Sequence, residues 1–166
     1  LLCYMIKPKK VLEIGTAVGY SALLMAGICD CEIDTIEINE DNAKEAKRNF
    51  EKYNKKINLI IGDANEVLST LTGTYDLIFI DAAKGQYPYY LKECKRLLKQ
   101  GSCIIANNVL YKGMVAGGPI DHKRNRTIIK RLREFIDNLT EDENYETVIL
   151  PVDDGMLISL KTQETK

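Results

Sequence analysis

Three groups of residues in this chain of 166 amino acids have types and spacings suited to chemistry. The first is Val11-Leu12-Glu13-Ile14-Gly15-Thr16-Ala17-Val18-Gly19-Tyr20-Ser21, an apolar run, a glycine-bearing turn and the start of a helical pattern. Gly15 lets the chain turn tightly and lets a ligand approach the backbone. N–H groups at the following helix start can bind a carboxylate or phosphate. The run is neither Gly-x-Gly-x-x-Gly nor a P-loop, and two glycines alone fit a plain tight turn equally well. Glu37 ends the next apolar run, 22 residues after Gly15, where a carboxylate commonly takes ribose hydroxyls. The competing reading of Glu37 is a solvated or capping acid. Asp63, in Gly62-Asp63-Ala64, accepts from an adenine amine or caps the next helix. Together these residues indicate an adenosine-bearing ligand held without a pyrophosphate grip, which S-adenosylmethionine fits better than NAD.

The second group surrounds Asp81, which ends the apolar run Tyr75 to Ile80 and is followed by Lys84, Gln86 and Tyr87. A charge there is costly unless paired or liganded. With Asn107 and Asn108 at the end of another apolar run, three oxygen-bearing side chains converge, a set suited to Mg²⁺ with Mn²⁺ and Ca²⁺ as alternatives. The plainer reading pairs Asp81 with Lys84 and makes the asparagines loop caps. The third group is basic: Lys92, Lys95, Arg96 and Lys99, then Lys123, Arg124, Arg126, Lys130, Arg131 and Arg133. Such clusters either grip phosphates or form a solvated helix face. Tyr87, Tyr89, Tyr90 and Tyr111 are either base-stacking platforms or ordinary packing.

These groups need a scaffold, and the pattern supplies one. Strands are predicted at Lys10 to Ile14, Glu32 to Ile38, Ile57 to Ile61, Tyr75 to Ile80 and Ser102 to Ala106. Helices are predicted near Tyr20 to Cys29, Glu40 to Tyr53, Asn65 to Leu71, Tyr87 to Leu98 and Arg124 to Leu139. Ala22, Leu23, Ala26 and Gly27 read as the inner side of the first helix. Ile128, Leu132, Phe135, Ile136 and Leu139 share one face of the last. Tyr145 to Leu150 and Met156 to Leu160, joined through Gly155, read as a terminal antiparallel pair. The alternation predicts one doubly wound α/β domain with helices on both faces, its crevice beyond the strands' C-terminal ends. Gly113, Gly117, Gly118 and Met114 suggest a mobile lid.

Composition bounds the function. The formal charge is −1 and 45% of residues are hydrophobic, which argues against a disordered chain and against wholesale nucleic-acid binding. No apolar run approaches the roughly 20 residues of a membrane span. Five cysteines without CxxC pairs read as reduced and cytoplasmic. The lone His122 has no cysteine pair with which to build a zinc site.

Val11 to Ser21, Thr35-Ile36-Glu37-Ile38-Asn39, Gly62-Asp63-Ala64, Phe79-Ile80-Asp81-Ala82-Ala83-Lys84 and Asn107-Asn108-Val109-Leu110 together resemble the cation-dependent class I O-methyltransferases. That family includes the catechol and caffeoyl-CoA enzymes. The resemblance is nearest to the bacterial branch that methylates 5-hydroxyuridine at the tRNA wobble position. It implies a Rossmann-like sheet of seven mostly parallel strands, the last antiparallel. It implies that Glu13 and Gly15 border the methionine moiety of S-adenosylmethionine, that Ser21 holds its carboxylate and that Glu37 takes the ribose. Ile38 then packs on adenine, Asp63 and Ala64 border the adenine edge, and Asp81 closes the site. The implied metal ligands are Asp81, Asn107 and Asn108, and Lys84 is the residue that handles the acceptor's proton. Asn107 departs from the pattern, because the family has a carboxylate there. The implied substrate is tRNA, gripped by Lys123, Arg124 and Arg126, with a small phenolic hydroxyl as the alternative and a non-catalytic cofactor-binding protein as a third reading. Relatives carry further N-terminal helices that help form a homodimer, so residues 1–166 are expected to be one methyltransferase domain lacking them.

Overall fold

The computed structural model describes residues 1–123 and 125–163. A short helix α1 (Leu2–Ile6) precedes β1 (Lys10–Ile14), α2 (Tyr20–Ile28), β2 (Glu32–Glu37), α3 (Glu40–Lys52), β3 (Asn58–Ile61) and α4 (Ala64–Thr70). Then follow β4 (Tyr75–Ile80), a 3-10 turn (Lys84–Gln86), α5 (Tyr87–Leu97), β5 (Leu98–Asn107), α6 (Asn125–Thr140), β6 (Tyr145–Leu150) and β7 (Met156–Lys161). The strands form a seven-stranded sheet in the order β3-β2-β1-β4-β5-β7-β6. β7 runs antiparallel to both β5 and β6, and the other pairings are parallel. This is the Rossmann-like class I methyltransferase architecture. Among the described residues, no helix is long and apolar enough to cross a membrane.

The near-continuous apolar runs of β1 and β4 follow from burial on both faces. Leu12, Ile14, Ile78 and Ile80 turn to one side, where they meet Leu68, Leu91, Leu97, Leu132 and Phe135 of α4, α5 and α6. Val11 and Leu77 turn to the other, against Ala22, Met25, Ala46 and Phe50 of α2 and α3. β1 lies at the point where the strand order reverses. The chain leaves β1 towards β2 and leaves β4 towards β5, so the two connections diverge and open a crevice.

Some details depart from the sequence reading. In α2 Met25 is buried while Gly27 is exposed. In α6 Ile129 is buried, and Ile128 and Ile136 flank it. β5 begins at Leu98 rather than Ser102, because Leu98 pairs with Tyr75 ahead of a register shift before the Leu77–Cys103 pair. Gly101, at φ +82°, lies in this irregular stretch, and local pattern reads such a segment as a turn.

Candidate functional site

Gly15 is set by the protein's own backbone. Its φ is +102°, and a Cβ there would stand 2.2 Å from the carbonyl oxygen of Asp81. The N–H of Asp81 in turn donates to the carbonyl of Ile14 at 2.9 Å. The glycine therefore lets the ends of β1 and β4 cross closely, which brings Asp81 to the cofactor loop. Beyond it, Ala17 adopts φ +47° and its N–H donates to Glu37 Oε2 at 2.7 Å. The N–H of Asn39 donates to Glu37 Oε1 at 2.8 Å. Glu37 thus ties the β1–α2 loop to the start of α3, and Asn39 caps α3 by accepting from the N–H groups of Asp41 and Asn42.

A crevice of about 360 Å³ opens over these ends, and its wall includes Gly15, Glu37, Ile38, Asp63, Ala64 and Asp81. Ile38 is 66% exposed, an apolar platform at the rim. Asp63 caps α4 by accepting from the N–H of Asn65 at 2.8 Å, so its capping role is real and it also faces the crevice. Glu13 is fully buried on the α2 side of β1 and is not part of the crevice wall. Ser21 and Thr35 donate their hydroxyls to its two oxygens. Burial pushes the Glu13 carboxyl up to about 7; those hydrogen bonds oppose the shift, and the charges of Asp81 and Glu37 add to it. Ala17, Ala82 and Ala83 fall within the strand-end segments that the sequence marks for the crevice, whereas Thr35 and Tyr90 belong to this neighbourhood without having been given a cofactor-side role from sequence. Apolar and backbone contributors carry no local chemical signal, and Thr35 reads as an ordinary strand residue.

Beside the crevice Lys84 Nζ donates to Asp81 Oδ1 at 2.7 Å and to the Tyr87 hydroxyl at 3.0 Å. Tyr87 is fully buried and its hydroxyl faces the carbonyls of Asn107, at 3.0 Å, and Ile80, at 3.2 Å. Its ring meets Phe135 of α6 edge-on, 5.3 Å between centroids. Arg131 of α6 donates to the carbonyl of Gly85 at 2.9 Å, so α6 holds the turn that carries Lys84. Asn107 Nδ2 donates to Asp81 Oδ2 at 3.1 Å.

The expected metal set does not fit a divalent cation in this arrangement. Both Asp81 oxygens are engaged by donors, one of them an ammonium. Asn107 presents its nitrogen to Asp81, whereas a cation would need its oxygen. Among the described residues no group of three or more His, Cys, Asp or Glu is placed to hold a metal ion.

The basic groups are largely used internally. Lys95 pairs with Asp142, Arg96 with Glu93 and Lys99 with Asp76. Arg133 donates to the carbonyls of Met114 and Val115. Lys123 and Arg126 are exposed, and Arg124 lies outside the described residues. Arg126 shares a surface groove with Glu134, Asp137 and Glu141. Tyr87 and Tyr90 are buried, which removes them as base-stacking platforms. The segment expected to be a lid is tied down: Met114 is buried, and the N–H groups of Val109 and Leu110 donate to the carbonyls of Gly155 and Asp154.

The O-methyltransferase family matches residues 1–162. A candidate O-methyltransferase from Mycolicibacterium vanbaalenii is 32% identical over 170 residues, spanning 97% of this chain and 74% of the relative. Among solved structures, a candidate caffeoyl-CoA O-methyltransferase from Staphylococcus aureus superposes with a TM-score of 0.89 at 37% identity, covering 96% of this chain and 79% of that one. A methyltransferase from Podospora anserina, bound to S-adenosylhomocysteine, gives 0.85 at 32% identity, covering 98% and 75%.

Proposed function

The chain belongs to the O-methyltransferase family and is an S-adenosylmethionine-dependent enzyme of it, and from that premise we propose that its acceptor is the hydroxyl of a small phenolic or catechol-like molecule. The observation that carries this reading is the Lys84 ammonium side chain, fixed by Tyr87 and by Asp81, which lines the crevice. Similarity to a candidate caffeoyl-CoA enzyme supports the same acceptor chemistry.

Gly15, Glu37, Ile38, Asp63 and Ala64 would hold S-adenosylmethionine, with Glu13 and Ser21 beneath its methionine end. Bound there, it supplies a methyl group on a positively charged sulfur. The acceptor oxygen loses its proton and bonds to the methyl carbon as the carbon–sulfur bond breaks, leaving a neutral thioether and one proton. That proton leaves to solvent, and the Lys84 ammonium, which has no lone pair to accept it, faces the oxygen that develops charge. Asp81 and Tyr87 hold the nitrogen in position, so orientation and electrostatics carry the catalysis. The divalent cation expected from sequence is not carried into this reading, because the donor set does not fit it.

Methylation of 5-hydroxyuridine in tRNA stands second. It rests on exposed Lys123 and Arg126 together with Arg124. The acids in the same groove and the internal use of Arg131 and Arg133 count against a continuous phosphate track. The deciding experiment incubates the protein with labelled S-adenosylmethionine and, in parallel, a panel of catechols and phenols or hypomodified tRNA. Labelled methyl ethers from the panel are expected. Label in tRNA alone would reverse the order of the two readings.

A further inference from the structure

We propose that this site transfers methyl groups without a divalent cation, with Asn107 fastening Asp81 to Lys84 so that the lysine supplies the positive charge beside the acceptor oxygen. The inference rests on the acceptor reading above and goes beyond it by stating what the site does not need.

Charge is the first argument. Mg²⁺ and its relatives are held by oxygen ligands, carboxylates foremost. Here the one carboxylate among Asp81, Asn107 and Asn108 is already paired, Lys84 Nζ standing 2.7 Å from Oδ1. The pair is neutral, so Asp81 with its lysine offers a dication no net charge and sets a fixed ammonium at short range. A carboxylate at position 107 would restore the attraction; an amide cannot.

Hydrogen bonding is the second. Asn107 Nδ2 donates to Asp81 Oδ2 at 3.1 Å. Turning the amide to aim its oxygen at a shared cation would forfeit that bond and set the amide oxygen against the carboxylate. The third argument is rigidity. Lys84 is held from two sides, by Asp81 and by the Tyr87 hydroxyl, and Tyr87 is fixed by Phe135 and by the carbonyl of Asn107. Asn107 therefore touches the lysine's support twice, through its side chain on Asp81 and its carbonyl on Tyr87. A preorganised ammonium can stabilise a developing oxyanion without a metal. The reaction balances with the acceptor, S-adenosylmethionine and solvent: the hydroxyl's proton passes to water, while the Lys84 ammonium keeps its own protons and its charge.

The test uses the chelator-treated protein and two readouts, the first with S-adenosylhomocysteine and the second with S-adenosylmethionine as methyl donor. Mn²⁺ binding is followed by electron paramagnetic resonance in the parent, in Asp81→Asn and in Asn107→Asp. Methyl transfer to a catechol is measured with EDTA and with added Mg²⁺. The parent is expected to show no Asp81-dependent Mn²⁺ binding, Asn107→Asp to gain it, and turnover to stay within about twofold in EDTA. Mn²⁺ binding by the parent that Asp81→Asn removes would overturn the proposal, and so would turnover lost in EDTA and restored by Mg²⁺. If no phenol or catechol is methylated, the acceptor reading fails. The Mn²⁺ readout, which needs no acceptor and is decided on the parent and Asp81→Asn alone, still tests the cation proposal.

Discussion

Glu13 combines two opposed demands. The carboxyl is fully buried and pushed up to about 7, burial being the main cause. Unfolded, it ionises near its ordinary value of 4.5. Between those values the folded chain keeps a proton that the unfolded chain has lost. Stability therefore falls as pH rises through that window and is level above it. Glu13→Gln is expected to be more stable than the parent near pH ~8, by up to about 3 kcal/mol, with little difference near pH ~4. Urea unfolding at the two pH values measures this. The same substitution should weaken S-adenosylmethionine binding, whose positive charges favour an ionised Glu13, and calorimetry near pH ~8 reads it. Glu37 gives a simpler case. Its oxygens accept from the N–H groups of Ala17 and Asn39 at the crevice wall. Glu37→Ala is expected to lower cofactor affinity at least tenfold, the scale of a charged hydrogen bond of about 1.5–3 kcal/mol. Unchanged affinity would remove Glu37 from the ribose role.

Elements decide what two glycines tolerate. Gly15 sits where β1 meets the end of β4, with backbone of Asp81 and Ala82 filling the space a Cβ would take. Gly15→Ala is expected to destabilise the fold by about 3 kcal/mol or more, since both the conformation and the contact oppose it. Gly27 is a helical position of α2 with nothing within 4 Å of its would-be Cβ. Gly27→Ala should stabilise by about 0.5–1 kcal/mol through helix propensity. Denaturant midpoints of the two variants should move in opposite directions. Sequence pattern located β1, β4 and α2, but assigned Gly27 to the inner side of α2. A nine-residue helix that is apolar nearly all round offers little periodicity to orient it. α6 was clearer, because its charged residues confine the apolar stripe to within one position of where it lies.

At the scale of the whole molecule, charge near zero and a shared groove of both signs favour a small acceptor over a polyanion. Replacing Lys123, Arg124 and Arg126 together by glutamine is expected to leave phenol turnover and S-adenosylmethionine affinity unchanged. If tRNA is methylated, the same variant should bind it more weakly, with a shallower salt dependence. A salt series on both substrates separates the cases. Turnover of the phenol lost in the variant would place the patch in the small-molecule site.

The doubly wound architecture, the crevice at the strand ends and the residues Gly15, Glu37, Asp63 and Asp81 along it were legible in the sequence, while Ile38 and Ala64 on the same wall came only from the family resemblance. Strand periods, glycine punctuation and acids at strand ends are local signals, and the topology rule converts them into a place. Tertiary structure alone decided how the side chains are used. Asp81 and Asn107 come from different strands, and only the pairing of β4 with β5 sets one against the other. Whether an aspartate holds a metal, a lysine or an amide depends on the charge and hydrogen-bond partners that folding delivers. The same holds for Glu13, Arg131 and Tyr87. In sequence they are an acid, a cation and an aromatic ring. Burial turns the first into a carboxyl poised near neutral pH, and packing of α6 makes the other two supports for Lys84.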